Sequence, residues 1–228
     1  LNQPTTPEIP GTVKPTDKPT DKPAPPTTPP VEPGLESKSS DLVTIPATIN
    51  KPLDAAGQTA KDVTVGPHGR LFNVILDGTI INQGIIRDAI LQPGCHITGG
   101  ILAGTIINNG CLLTDVEFQG AQMTGGTLAG NLKASLDTTL QDVKLAGKAH
   151  LVGGQLQGQI QGDANNRPLL EGVTMTAGCQ VSAVVIDQDL DNPCTLTNVE
   201  FRGNHLKGGT LAGIILNHGQ GTLQDVSL

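Results

Sequence analysis

Aromatic side chains are almost absent from this sequence, which has three phenylalanines, no tryptophan and no tyrosine in 228 residues. Platforms that bind sugar rings and grooves that stack nucleic-acid bases both depend on aromatic faces, and so does the interfacial belt of membrane proteins. The scarcity of aromatic residues therefore argues against all three kinds of site.

An excess of positive charge and a long hydrophobic run are also missing. Fourteen basic residues against 21 acidic ones give a net charge of −7, which disfavours nonspecific binding to phosphate backbones. No apolar run approaches the ~18 residues of a transmembrane helix. We therefore predict no nucleic-acid partner and no membrane insertion. The chain starts with Leu1 rather than methionine, which indicates a processed product or an excised piece.

Proline is concentrated at the start of the chain, where residues 1–34 hold eleven of the seventeen prolines. Such a segment cannot build a hydrophobic core, and its rings favour an extended polyproline II conformation. We divide the chain into a Pro/Thr-rich arm over residues 1–34, a connector over 35–44 and a folded domain over 45–228. The arm is either a docking segment or a plain linker.

The remainder of the sequence is a repeat. Copies begin at Leu71, Ile97, Met123, Leu151, Val181 and Leu206, and residues 45–70 form a worn seventh copy. The clearest copies read ITGGILAGTIIN, MTGGTLAGNL and LKGGTLAGIILN, and each runs into a second phrase such as TDVEFQG or QDVKLAG. Apolar residues mostly alternate within each half, which is the period of a strand with one buried face.

Short strands that recur every 25–30 residues with aligned apolar positions predict an all-β fold, a parallel β-helix of about seven stacked coils. The pattern resembles the right-handed parallel β-helix of pectate-lyase-like enzymes, tailspikes and haemagglutinin-type adhesins. The resemblance covers residues 45–228 and implies a fold class rather than one family. The left-handed hexapeptide helix is the alternative, but its coils are shorter and strictly six-periodic.

The four cysteines occupy equivalent places in the repeat. Cys95 and Cys179 lie in the phrases PGCH and AGCQ, and Cys111 and Cys194 lie in NNGC and DNPC. We predict the disulfides Cys95–Cys111 and Cys179–Cys194, because the other pairings span two or more coils. Four reduced thiols in a cytosolic protein are the alternative. The disulfides and the proline-rich arm favour a secreted or cell-surface protein, which we expect to be bacterial.

Residues that could carry chemistry are few. Asp187, Asp189 and Asp191 alternate along one stretch and are weak candidates for a calcium site, although an exposed acidic face explains them better. Aspartates that recur in the repeat, such as Asp88 and Asp115, are expected to accept backbone N–H groups at corners.

Histidines at equivalent repeat positions are expected to form a polar edge ladder (His96, His150, His205). No nucleophile elbow, phosphate loop or zinc spacing occurs, and the arginines of the repeat domain look scattered (Arg87, Arg167, Arg202). We predict no enzyme activity, no cofactor and no metal.

The ends of a β-helix expose unpaired strand edges, which stable monomers cover with a cap. No capping helix is visible in the sequence, and the chain stops on apolar positions of the repeat (Leu223, Val226, Leu228). We therefore expect a structural subunit of an extracellular filament, whose partner is another copy stacked head to tail. Lys14, Lys18 and Lys22 of the arm would contact the acidic neighbours. The alternative is a monomeric adhesin or stalk module of a longer surface protein, and a polysaccharide-active enzyme is a third candidate.

Overall fold

A computed structural model describes residues 44–218 and 221–228, which form strands, turns and bends and contain no helix. The strands are β1 (Thr48–Ile49), β2 (Pro52–Asp54), β3 (Thr59–Lys61), β4 (Thr64–Val65), β5 (Arg70–Asp77), β6 (Thr79–Asn82), β7 (Ile85–Leu91), β8 (His96–Thr98), β9 (Ile101–Asn108), β10 (Leu112–Thr114), β11 (Glu117–Thr124), β12 (Thr127–Ala129), β13 (Asn131–Gln141), β14 (Lys144–Leu145), β15 (His150–Gln157), β16 (Gln159–Gln161), β17 (Leu169–Glu171), β18 (Thr174–Met175), β19 (Gln180–Ser182), β20 (Val185–Ile186), β21 (Leu190–Asp191), β22 (Thr195–Thr197), β23 (Glu200–Phe201), β24 (His205–Lys207), β25 (Thr210–Ala212), β26 (Leu216–Asn217) and β27 (Thr222–Gln224).

Three parallel sheets run along the molecule. One sheet has eleven strands in the order β1-β4-β6-β8-β10-β12-β14-β16-β19-β22-β25. A second has 13 strands and follows β2-β5-β7-β9-β11-β13-β15-β17-β20-β23-β26, with β3 and β18 beside it, and a third is β21-β24-β27. Each strand pairs with its equivalent in the next coil, so the predicted β-solenoid is confirmed.

The coil is shorter than the sequence repeat. Ile97 pairs with Ile80 in the preceding coil and with Leu113 in the following coil, so one coil takes about 16 residues. The eleven strands of the first sheet mark eleven coils rather than the predicted seven. The prediction of coils of 25–30 residues was wrong.

The sequence repeat fails to mark the coil because consecutive copies start on different faces. Leu71 pairs in the 13-stranded sheet, Ile97 in the eleven-stranded sheet, and Leu206 in the three-stranded sheet. Inward residues recur about every five residues, as in Leu71, Leu76 and Ile80. A copy of 26 residues therefore covers about five such steps, whereas a coil takes three.

Aspartates in the left-handed conformation form one kind of corner. Asp88 has φ +55°, and its Oδ1 accepts the N–H of Thr105 in the next coil at 2.8 Å. Asp115 has the same φ and accepts the N–H of Asn131 at 2.7 Å. The predicted corner role of these aspartates is confirmed. They do not stack on one another, because they follow the 26-residue repeat rather than the coil.

Buried asparagines form a second kind of corner. Asn108 Oδ1 accepts the N–H groups of Gly110 and Cys111, and its Nδ2 donates to the carbonyl of Cys111. The side chain is 4% exposed and lies against Gly126 of the next coil. Gly126 has φ +82°, and a Cβ atom there would overlap the Asn108 amide. Asn82 and Asn192 repeat this contact with Gly100 and Gly209.

The core is a single column of aliphatic side chains with two large aromatic ones. Phe118 and Phe201 are both 0% exposed and point inward from the 13-stranded sheet. Phe118 pairs with Leu102, and Phe201 pairs with Ile186. Their burial was predicted correctly. Their separation was not, because five strand steps of the sheet order separate β11 from β23, rather than three coils.

We predict that Phe118→Ala lowers the free energy of unfolding by about 3–5 kcal/mol, because it leaves a cavity that neighbouring coils cannot fill. Phe72→Ala is the matched control, since Phe72 lies between the inward positions of β5 and is only partly buried. The control should cost less than about 1.5 kcal/mol. Urea unfolding followed by circular dichroism measures both, and equal losses would contradict the inward register.

We also predict that Gly126→Ala destabilises the protein more than Gly94→Ala does. Both glycines have φ near +80°, so both changes carry the same backbone strain of about 1–2 kcal/mol. Only Gly126 faces an asparagine, whereas a Cβ atom on Gly94 meets nothing within 4 Å. Overlap with Asn108 should add about 1–3 kcal/mol at Gly126. Urea midpoints that shift equally would show that the asparagine contact contributes nothing.

Candidate functional site

The two ends of the solenoid are the candidate interface. Within the described residues, β1, β2 and β3 have strand partners only on one side, and so do β25, β26 and β27. These strands therefore present backbone N–H and C=O groups that no further strand in the described chain pairs with. Such edges are templates for the addition of another strand.

Apolar side chains accompany the edge at the C-terminal end. Leu216 and Leu223 are each 41% exposed, and Leu228 is 99% exposed, whereas equivalent leucines inside the solenoid are fully buried. Val226 is partly buried and packs against the core. The structure thus brings the predicted end-stacking residues Leu223, Val226 and Leu228 to one end.

The edge of β25 already carries the start of a further turn. Ser227 forms a parallel bridge with Thr210, and its N–H donates to the carbonyl of Gly209 at 2.9 Å. The N–H of Leu211 in turn donates to the carbonyl of Ser227 at 2.8 Å. Strand addition at this end therefore uses the same parallel register as the rest of the sheet.

The arm and its lysines cannot be compared with this interface. Lys14, Lys18 and Lys22 lie outside the described residues, as does the whole of the predicted arm over residues 1–34. Their contacts with a neighbouring copy stay a prediction.

The cysteines meet in the predicted register, but only one pair is joined. Cys179 and Cys194 form a disulfide with a Cα–Cα distance of 4.8 Å. Cys95 and Cys111 lie on adjacent coils, where the N–H of Leu112 donates to the carbonyl of Cys95 at 2.9 Å. Both are buried free thiols, so the predicted disulfide Cys95–Cys111 is absent from the structure. The side-chain contact with Cys95 and burial together raise the pKa of Cys111.

The acidic candidates for a metal site do not converge. Asp187 follows β20 of the 13-stranded sheet, whereas Asp191 lies in β21 of the three-stranded sheet. Asp189 between them is a corner residue whose Oδ1 accepts the N–H groups of Asn204 and His205. These two hydrogen bonds hold the pKa of Asp189 below its usual value. Where the structure describes the chain, no three His, Cys, Asp or Glu residues are grouped to hold a metal ion.

The histidines also lie apart, one on each sheet. His96 Nε2 lies 3.1 Å from Thr114 Oγ1 in the eleven-stranded sheet, and His205 Nδ1 lies 3.0 Å from Thr222 Oγ1 in the three-stranded sheet. His150 Nε2 is 2.9 Å from Glu171 in the 13-stranded sheet. The predicted common ladder is therefore wrong, because each histidine pairs with its own neighbour one coil away.

Two of the arginines that look scattered in the sequence come together. Arg167 and Arg202 line the same surface pocket, although 34 residues separate them in the chain, whereas Arg87 lies elsewhere on β7. Sequence reasoning missed this pair because it placed the coil boundaries at the repeat boundaries. A 16-residue coil puts the two residues about two coils apart.

Comparison of the chain with protein-family models, with curated proteins and with solved structures found no match. Among residues 44–218 and 221–228 there is no helix of the length and hydrophobicity needed to cross a membrane. The disulfide Cys179–Cys194 is compatible with an oxidising, extracellular environment.

We predict that alkylation of the unfolded, unreduced protein labels Cys95 and Cys111 and leaves Cys179 and Cys194 unlabelled. Trypsin then separates the pairs, because cleavage after Arg87 and Lys133 places the first two cysteines in one peptide. Mass spectrometry reads the label on each peptide. Label on Cys179 or Cys194 would contradict the observed disulfide, and the absence of label on all four would show that Cys95 and Cys111 are also joined.

Proposed function

We propose that this chain is the structural subunit of an extracellular filament that grows by end-to-end stacking of β-solenoids. The observation that carries the proposal is the pair of open ends, each with three parallel strand edges. The two ends differ in sequence, so the contact is head to tail, and a head-to-tail contact that does not close produces a fibre.

The side chains at the two ends are compatible with stacking in the solenoid's own register. The inward residues Ile49 of β1 and Leu211 of β25 belong to the same sheet and are both apolar. Ala60 of β3 and Leu223 of β27 bring further apolar surface at the two ends. Joining the ends would remove the exposed leucines from water and pair the free backbone groups of both edges.

The dimensions suit a docking arm. Eleven coils give a subunit rise of about 53 Å along the axis. An arm of 34 residues in polyproline II conformation reaches about 105 Å, or about two subunits. Residues 35–228 carry 11 basic and 17 acidic side chains, so Lys14, Lys18 and Lys22 would meet neighbours of opposite net charge.

A stalk or adhesin module of a longer surface protein is the second candidate. Residues 226–228 already continue the eleven-stranded sheet beyond β25. A further coil of the same chain therefore fits that edge as well as a second copy does. The behaviour of the isolated chain distinguishes the two candidates.

We predict that the purified chain forms unbranched fibres with an axial repeat of about 53 Å in negative-stain electron microscopy. Leu223→Lys should abolish the fibres, because it places a charge in the apolar contact between ends. Leu136→Lys is the matched control, since Leu136 is 79% exposed on a bulge at the side of the solenoid. The control should form normal fibres.

Deletion of residues 1–34 completes this test. If the arm joins neighbours, the truncated chain forms shorter fibres that dissolve in high salt. Fibres as long and as salt-resistant as those of the full chain would show that the arm is a plain linker. A wild-type chain that stays monomeric at high concentration would instead support the stalk module and overturn the filament.

A further inference from the structure

One loop interrupts the regular outline of the solenoid. Residues 162–168 lie between β16 and β17, and this coil is longer than the others by about five residues. The loop is held by Asp163, whose Oδ1 accepts the N–H of Asn165 at 2.9 Å. It returns to the sheet through Pro168, whose carbonyl accepts the N–H of Val185 at 2.8 Å.

The loop covers part of the outer surface of the 13-stranded sheet. Ile186 pairs with the inward Leu170, so the preceding residue, Val185, faces outward. Val185 is nevertheless only 6% exposed. The loop and the outward residues of β15, β20 and β23 enclose a pocket of about 490 Å³.

The pocket has a positive lining on a protein of negative net charge. Lys148, Arg167 and Arg202 line it together with a single carboxylate, that of Glu200, which leaves a formal surplus of two positive charges. Arg202 is already paired with Glu200 at 2.6 Å, and His150 is paired with Glu171. Lys148 and Arg167 form no ion pair within the described residues.

Arg167 supplies a second, independent observation. Its Nη1 is buried and is the one buried side-chain nitrogen or oxygen of the described residues that has no hydrogen-bond partner. A buried donor without an acceptor is costly, so such groups in folded proteins commonly mark the place of a missing partner. An acceptor oxygen in the adjoining pocket would satisfy this nitrogen.

We propose that this pocket is a binding site for a small oxyanion, in which Arg167 and Lys148 hold a carboxylate or phosphate group. The planar guanidinium of Arg167 can donate two parallel hydrogen bonds to either group, and the Lys148 ammonium adds a second positive charge. Arg202, oriented by Glu200, forms the opposite side of the pocket. No aromatic residue lines the pocket, so charge and hydrogen bonding rather than ring stacking select the ligand.

The proposal does not depend on filament formation, because the loop lies on the side of the solenoid, several coils from the open edge. It is tested by titrating the full chain, at low ionic strength, separately with inorganic phosphate and with malonate, by isothermal calorimetry and by the backbone amide shifts of residues 162–168. We expect saturable binding in the micromolar to millimolar range, centred on these amides.

Arg167→Gln removes the charge and the paired donors, and should weaken binding by about tenfold or more. Arg87→Gln is the matched control, because Arg87 is an exposed arginine on the same sheet whose partner is Asp88. It should bind as the wild type does. An unchanged circular dichroism spectrum and thermal midpoint show that each variant is folded.

Saturable binding of phosphate alone, of malonate alone or of both supports the site and identifies the oxyanion that it prefers. No saturation by either anion overturns the proposal. Equal affinity of Arg167→Gln and the wild type also overturns it, as does an equal loss in Arg87→Gln, which would show a general charge effect.

Discussion

The fold depends on turning the backbone three times in each coil without disturbing the ladder between coils. A corner this tight needs residues with positive φ, which side chains other than glycine, asparagine and aspartate adopt at a cost. In this protein the corner residue also binds the next coil: Asp88 Oδ1 accepts the N–H of Thr105, and the Asn108 amide fills the space above Gly126. Each corner therefore sets the register of the coil that follows, and the strands between corners need only an inward apolar residue. This division of labour explains how a chain with three aromatic residues builds a continuous core.

Much of the fold could be predicted from the sequence, because strand periodicity and corner residues are local properties. The alternation around Ile97 and the aspartates of the repeat identified a parallel β-solenoid and the corner role correctly. Coil length could not be read from the repeat, since a 26-residue copy covers about five of the three-per-coil steps. The shorter spacing of Leu71, Leu76 and Ile80 was the signal that would have given the coil. Only the register between coils, which the structure supplies, separates the two possibilities.

The candidate sites follow from the same register. Equivalent positions of the sequence repeat lie on different sheets, so the histidines and the acidic residues near Asp189 do not gather into a metal site. Residues that the repeat did not relate, Arg167 and Arg202, meet because an inserted loop folds back over the sheet. The cysteine pairing was predictable because Cys179 and Cys194 are one coil apart in chain length, and the same geometry places Cys95 beside Cys111 without joining them. A solenoid with regular sides and open ends is suited to transmitting length, which is the basis of the proposed filament.

Nuclear Overhauser contacts between backbone protons of the folded domain test the 16-residue coil most directly, because they require no mutation and distinguish the two registers at every strand. The structure predicts interstrand contacts that join Ile97 to Ile80 and to Leu113, and Leu113 to Leu128. Contacts that join Ile97 to Leu71 and to Met123 would instead show coils of 26 residues. That result would contradict the three-sided coil, the corner contacts and the proximity of Arg167 to Arg202 together.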